Sequence, residues 1–147
     1  MSIAPATPAD AAEWAQMRHA LWPESDAAEL AAEIERMLAE PGDTFNIIAR
    51  AHGDVAGFAE ASLRRDYVNG CKTSPVAFLE GIYVQPAYRG RGIARQLVAA
   101  IEAWARERGS REFASDALLD NTASHAMHEA LGFAETKRVV FFRKVLD

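Results

Sequence analysis

Tyr88-Arg89-Gly90-Arg91-Gly92-Ile93-Ala94-Arg95-Gln96-Leu97 sets two glycines between a run that reads as a strand and a run that reads as a helix. Upstream, residues 76–84 are apolar and β-branched, and Pro86 ends the strand because proline cannot donate to a continuing ladder. Downstream, Ile93, Leu97, Val98, Ile101, Trp104 and Ala105 recur at helical spacing and predict one apolar face. Gly90 and Gly92 let the backbone approach an anion, and a helix start offers unpaired N–H groups at the positive end of its dipole. Arg89, Arg91 and Arg95 add positive charge, so the turn predicts a bound pyrophosphate. Ordinary turns also use glycine and arginine, so the ligand has to be identified from the pattern. There is no G-x-x-x-x-G-K-[ST], and Arg95 stands where a dinucleotide turn needs its third small residue.

Composition narrows the class. A chain of 147 residues, half of them hydrophobic, can bury one good core and predicts one domain. The single cysteine, Cys71, excludes an internal disulfide framework and falls in a polar loop with no assigned role. No metal-ligand set, secretion signal or long apolar segment stands out, which predicts a metal-free cytoplasmic protein. A formal net charge of -5 argues against nucleic acid and favours a cationic small molecule.

The elements read in order. A short strand at 2–4 precedes a helix to about residue 21 that opens on Thr7-Pro8-Ala9-Asp10, with Thr7 as N-cap. Ser25 is expected to cap a second helix reaching residue 39, with Leu30, Ile34, Met37 and Leu38 on its apolar stripe. Residues 45–51 and 55–63 read as a hairpin around His52-Gly53-Asp54. A polar loop at 64–75 follows, then the strand, the glycine turn and its helix. A strand at 111–115, a helix at 121–131 and a final strand or strands within 133–144 complete an α/β pattern, a mixed sheet with helices packed on it.

Glu80 stands inside Phe78-Leu79-Glu80-Gly81-Ile82-Tyr83-Val84, where a buried carboxylate is costly unless it is paired or used. An ion pair with an arginine is the structural alternative. The functional reading is that Glu80 binds a cationic amine and accepts its proton. The backbone of Ile82, Tyr83 and Val84 can pair with an extended ligand arm, and one N–H can polarise a carbonyl. Asp116 lies just past a strand end, Trp22 after the first helix and Tyr67 in the long loop; each also reads as an ordinary turn or packing residue.

Arg89-x-x-Gly92-x-Ala94 resembles the acetyl-CoA pyrophosphate motif of the GCN5-related N-acetyltransferase (GNAT) superfamily, R/Q-x-x-G-x-G/A. Asn121-x-x-Ser124-x-x-x-His128-x-x-x-Gly132-Phe133 resembles its later signature, with Asn121 opening the helix and Gly132 closing it. The superfamily usually has tyrosine where this chain has His128, so that residue is a candidate acid for the departing CoA thiolate or a plain helix-surface residue. The resemblance implies one GNAT domain over residues 1–147, with a mostly antiparallel mixed sheet flanked by about four helices.

Leu21-Trp22-Pro23, Asp66-Tyr67-Val68-Asn69-Gly70-Cys71, Ser74-Pro75, the Glu80 strand, Ala114-Ser115-Asp116 and His128 to Phe133 together look like the short aminoglycoside 6'-N-acetyltransferases. The resemblance implies direct acetylation of the antibiotic's 6'-amine from acetyl-CoA, hence resistance. It places Trp22, Ser25, Asp66, Tyr67, Glu80, Asp116 and Glu135 at the acceptor. It places Ile82, Tyr83, Val84, the turn Arg89-Gly90-Arg91-Gly92-Ile93-Ala94-Arg95 and Asn121 at the cofactor, and it implies a homodimer. Two departures stand out: the family often reads Glu-Thr-Glu where this chain has Glu135-Thr136-Lys137, and residues 23–29 differ in detail. An acetyltransferase for another cationic amine, such as a polyamine or protein amine, remains open, as does a non-catalytic acetyl-CoA or aminoglycoside binding module.

Overall fold

Two long strands, β2 (Thr44–Ala51) and β3 (Asp54–Arg64), form the centre of the sheet in a computed structural model that describes residues 1–147. His52 and Gly53 both have positive φ, 54° and 85°, the backbone hand that a two-residue hairpin turn needs to match the strand twist. β4 (Val76–Val84) pairs antiparallel with β3, and β1 (Ser2–Pro5) pairs antiparallel with β2. β5 (Phe113–Ala114) lies parallel to β4, giving the order β1-β2-β3-β4-β5 and a mixed, mostly antiparallel sheet.

The two faces carry different helices. α3 (Ile93–Glu107) lays Leu97, Ile101 and Trp104 onto Ala59, Ala61, Ala77 and Leu79. Alanines at these strand positions let the helix sit close to the sheet. Full burial of one large aliphatic side chain is worth roughly 1.5–3 kcal/mol, against under about 1 kcal/mol for a charge at a helix end. Leu97 and Ile101, both wholly buried, therefore anchor α3 and fix its N-terminus beyond the end of β4. On the other face, α1 (Ala11–Leu21) and α2 (Ala27–Ala39) pack Trp14, Met17 and Ile34 against Ile48, Val55 and Phe58. A smaller cluster of Val68, Val76 and Phe78 lies under the loop before β4.

The opening of α1 follows its sequence. Pro8–Asp10 forms one 3-10 turn, and Thr7 N–H donates to Asp10 Oδ2 at 2.8 Å. For α2 the expected cap is corrected: Asp26 Oδ1 accepts from Ala28 N–H, while Ser25 N–H donates to Trp22 O and tightens the turn after α1.

The C-terminal third departs from expectation. The strand expected at 111–115 has only two paired residues, and α4 (Thr122–Ala130) follows with Asn121 as its cap. No strand forms after Phe133. Val139, Val140, Phe141, Phe142, Val145 and Leu146 are all exposed. Their apolar pattern reads as a strand, yet the chain's own sheet supplies no ladder to receive it.

Candidate active site

The functional surface begins where β4 and β5 part. β5 covers β4 only at Ala77 and Phe78, so beyond Phe78 the β5-side edge of β4 has no strand partner. A groove of about 430 Å³ opens there, lined by Ile82, Tyr83, Val84, Arg89, Gly90, Gly92, Ile93, Ala94 and Arg95, every one expected from the sequence. Leu21 from α1, Met127 and Ala130 from α4 and Leu131 just past its end form walls that the sequence reading missed. They carry no polar signal, and only the fold brings them to the groove.

The glycine turn fits an anion. Gly90 and Gly92 both have φ of 80°, and nothing lies within 4 Å of where a Cβ would project. Gly92 caps α3 without any side-chain acceptor, so the first N–H groups of the helix stay free for a ligand. Arg89 Nε donates to Val84 O at 2.8 Å and Arg95 Nη2 to Ala130 O at 2.8 Å, tying the turn to β4 and α4. Arg89 also lies over the Tyr83 ring and Arg91 over the Tyr88 ring. Tyr88 OH reaches Asp54 at 3.2 Å and pins the turn to the β2–β3 hairpin. An open, cationic cradle continuous with a free strand edge fits a pyrophosphate with an extended arm. Asn121 lies outside this lining; its Oδ1 caps α4 by accepting from Ser124 N–H at 3.1 Å, which leaves its amide N–H₂ free for a ligand.

Glu80 departs from the expected burial. Its side chain is 35% exposed and paired with Arg64, which donates twice to Oε1 and once to Oε2. The physical cause is a bulge: Glu60 pairs with Gly81 and Ala61 with Leu79, leaving Glu80 as the extra residue of β4. A bulge re-aims its side chain and bends the strand. The arginine pair that the sequence left as an alternative is therefore present, beside the groove. The buried carboxylate is Glu60, 3% exposed, holding Trp14 Nε1 at 2.8 Å and Arg18 Nε at 2.8 Å. Glu60 also lies in an apolar run, the same signal that drew attention to Glu80.

Trp22 packs on Gly81, the residue paired with Glu60. Its ring lies 2.7 Å from where a Gly81 Cβ would be, so Gly81 is the only residue type that admits the indole there. Arg18 lies 5.0 Å from the same ring, which links the buried ion pair to the wall. Asp66 and Asp116 are exposed, Tyr67 is 73% exposed, and no hydrogen bond or ion pair joins any of them to Glu80. Ser25 is exposed as well. Glu135 pairs with Arg138, whose guanidinium lowers the Glu135 carboxyl below its ordinary range. That partner neutralises the acid two residues before Lys137. Thr136 Oγ1 occupies the space a Gly70 Cβ would need, which seats the start of the C-terminal tail on the loop before β4.

His128 reaches the fork through another residue. Its Nδ1 is 2.7 Å from Ser124 O, an acceptor only, which assigns the hydrogen to Nδ1. Nε2 then accepts from Ser115 Oγ at 2.8 Å, and Ser115 Oγ also stands 3.4 Å from Leu79 O. Ser115, which the sequence reading passed over, ties α4 to the chain just past β5 through the bond to Nε2. In this tautomer His128 has no Nε2 proton to give, so an acid role requires the doubly protonated ring and passes through Ser115. Burial, with Glu112 nearby, pushes the Cys71 thiol up, which disfavours the reactive thiolate. No cluster of residues suited to holding a metal is present.

Residues 11–133 match the model of the Acetyltransferase (GNAT) family. The chain is 49% identical over 146 residues to an aminoglycoside N(6')-acetyltransferase type 1 of Stenotrophomonas maltophilia, covering 99% of this chain and 94% of that one. It is 47% identical over 147 residues to the enzyme of the same name from Acinetobacter haemolyticus, covering 100% of both. Among solved structures, the apo aminoglycoside antibiotic 6'-N-acetyltransferase AAC(6')-IG of Acinetobacter haemolyticus superposes with a TM-score of 0.95 at 46% identity, covering 100% of both chains. AAC(6')-Iy in complex with the bisubstrate analog CoA-S-monomethyl-acetylneamine superposes with a TM-score of 0.91 at 45% identity, covering 99% of this chain and 98% of that one. A family match over most of the chain, and full-length identity near one half, place this protein in the Acetyltransferase (GNAT) family.

Proposed function

We propose that this chain is an aminoglycoside 6'-N-acetyltransferase, one acetyltransferase domain spanning residues 1–147, that confers resistance by direct acetyl transfer to the antibiotic's 6'-amine. The observation that carries the proposal is the adjacency on β4 of Glu80 and the open edge Ile82, Tyr83 and Val84, which runs into the Gly90–Gly92 cradle. One strand thus addresses a cationic acceptor and an acyl donor together. Relatives near one-half identity that carry this enzyme name support the substrate.

Acetyl-CoA, when bound, supplies the acetyl group as a thioester. The cradle's free N–H groups and Arg89, Arg91 and Arg95 hold its pyrophosphate; Ile82–Val84 align the arm; Asn121 offers its amide N–H₂ alongside. An N–H of that strand edge polarises the reacting carbonyl. Glu80 binds the acceptor's ammonium and takes the proton that must leave before or during attack by nitrogen. As nitrogen bonds to the acetyl carbon, the carbon–sulfur bond breaks and the thiolate departs. A proton for that sulfur comes from Ser115, which regains one from the doubly protonated His128 ring. Trp22 and Tyr67 provide aromatic walls, and Asp66, Asp116, Ser25 and Glu135 provide polar contacts for an aminosugar. No resident metal is required by this chemistry.

A homodimer in the cytoplasm completes the proposal, with neither nucleic acid nor membrane as partner. The exposed apolar residues at 139–146, together with an edge strand β5 of only two residues, support association with a second copy.

The test is release of free CoA thiol from acetyl-CoA with kanamycin or tobramycin, beside spermidine and a lysine peptide. Turnover is expected with the 6'-amino drugs and not with a 6'-hydroxyl counterpart. Thiol release with spermidine or the peptide alone replaces the substrate, and binding without any thiol release indicates a non-catalytic module. Sedimentation at one chain mass refutes the dimer.

A further inference from the structure

We infer that Arg64 and Ser62 are positioning residues that hold Glu80 with one carboxylate oxygen reserved for the acceptor amine, an inference resting on the proposed role of Glu80. Oε1 of Glu80 accepts from Ser62 Oγ at 2.8 Å, Arg64 Nη2 at 2.8 Å and Arg64 Nε at 3.2 Å. Oε2 accepts only from Arg64 Nη2, at 2.9 Å. A carboxylate offers about four lone-pair sites in all, so Oε1 is saturated and Oε2 keeps room for an incoming N–H. The asymmetry is what a base needs when its nucleophile must approach from one direction.

The guanidinium is itself fixed. Arg64 Cζ lies 3.5 Å from the Phe78 ring centroid, and Phe78 is 5% exposed, packed with Val68 and Val76 under the loop before β4. Stacking on an immobile ring sets the plane of the fork, and a planar fork sets the plane of the carboxylate it grips. A counter-ion waiting to be displaced by a polycationic substrate needs no such anchor. The sheet supplies the spacing: Ser62 pairs with Phe78, Arg64 pairs with Val76, and the bulge brings Glu80 within reach of both β3 side chains. Arg64 also makes the pair formally neutral, so its contribution to the acceptor is direction rather than charge.

The experiment compares R64M, R64K, S62A, E80Q and R64M/E80Q in steady-state acetyl transfer to kanamycin, with acetyl-CoA affinity measured by calorimetry as the check on folding. R64M and R64K are expected to lower kcat about tenfold or more, with acetyl-CoA affinity unchanged, because lysine can neither stack nor bind in two places. S62A is expected to cost about fivefold. The deciding reading is the double variant, in which R64M should change the E80Q rate by less than about twofold, since nothing remains to position. If R64M costs the same factor in both backgrounds, Arg64 acts independently and the inference fails while the role of Glu80 stands. Unchanged kcat with tighter kanamycin binding makes Arg64 a displaceable counter-ion and also overturns it. Full activity of E80Q removes both the base and its positioning. Should R64M fail to fold, R64K and S62A against E80Q carry the same comparison.

Discussion

Glu60 on β3 and Glu80 on β4 face the same side of the sheet, and an arginine grips each, yet one is 3% exposed and the other's side chain is 35% exposed. Arg18, which holds Glu60, is equally buried and spends its remaining N–H groups on Leu30 O and Glu33. Arg64, which holds Glu80, lies over Phe78 at the edge of solvent. In the first pair each carboxylate oxygen and each guanidinium nitrogen has a partner and the whole pair is closed off from solvent, so the cluster locks α1, α2 and β3 together. In the second, one oxygen is left underused beside an open groove. Chemistry needs an acceptor oxygen that a ligand can reach, and the fold exposes one at Glu80 by inserting a bulge one residue from the buried cluster's own pairing partner, Gly81.

Removing charge from the buried pair should have the largest effect. Glu60→Gln leaves the buried Arg18 guanidinium with only the part-exposed Glu33 as counter-charge, a loss of about 3 kcal/mol. That is a large share of a stability of about 5–15 kcal/mol for a domain. The expected result is a large fall in the urea midpoint followed by tryptophan fluorescence, with activity lost through unfolding. A double replacement by Arg18→Met and Glu60→Leu should cost less than either single change; equal or greater cost refutes the desolvation argument.

Glu80→Gln should do the opposite. The exposed pair contributes about 0–1 kcal/mol to stability, so the urea midpoint should hardly move. Turnover should fall about 100-fold, equivalent to about 2.7 kcal/mol at the transition state, with acetyl-CoA binding retained. A variant that loses stability but keeps kcat would make Glu80 a second Glu60.

The same contrast explains what the sequence could disclose. The cradle was legible because its requirements are local: two glycines with positive φ, a helix start and nearby arginines. β4 was legible as a whole strand for the same reason. Burial of Glu80 was misread because apolar neighbours predict an apolar environment, whereas a bulge depends on register against β3. Glu60 in Phe58-Ala59-Glu60-Ala61 carries the same local signal, and what separates the two is Arg18, 42 residues away. Ser115, Ser62 and Arg64 had no signal of their own, since their roles exist only where strands meet. The tail at 133–144 reads as strand from its run Val139-Val140-Phe141-Phe142, and it lacks a strand here because ladder partners are tertiary.

Asp10 is the third carboxylate, intermediate between the other two, and it predicts the smallest effect and the most conditional. It is 6% exposed, takes the Thr7 N–H at 2.8 Å and pairs with Arg50 across to β2, whose side chain remains 38% exposed. Burial raises the affinity of the Asp10 carboxyl for a proton, but the Thr7 and Arg50 hydrogen bonds outweigh that and hold it below its ordinary value of 3.8. A carboxyl depressed in the folded state stabilises the fold above its unfolded value, and that contribution is lost as pH falls through the folded one. Asp10→Asn should therefore cost about 1–2 kcal/mol at pH 7 in urea unfolding, because the amide can still accept from Thr7 but no longer attracts Arg50. The gap between wild type and variant should narrow below about pH 4 as wild-type Asp10 takes up its proton. A gap that stays constant down to pH 3 would assign the loss to cap geometry rather than charge, and Asp10 would then resemble neither Glu60 nor Glu80.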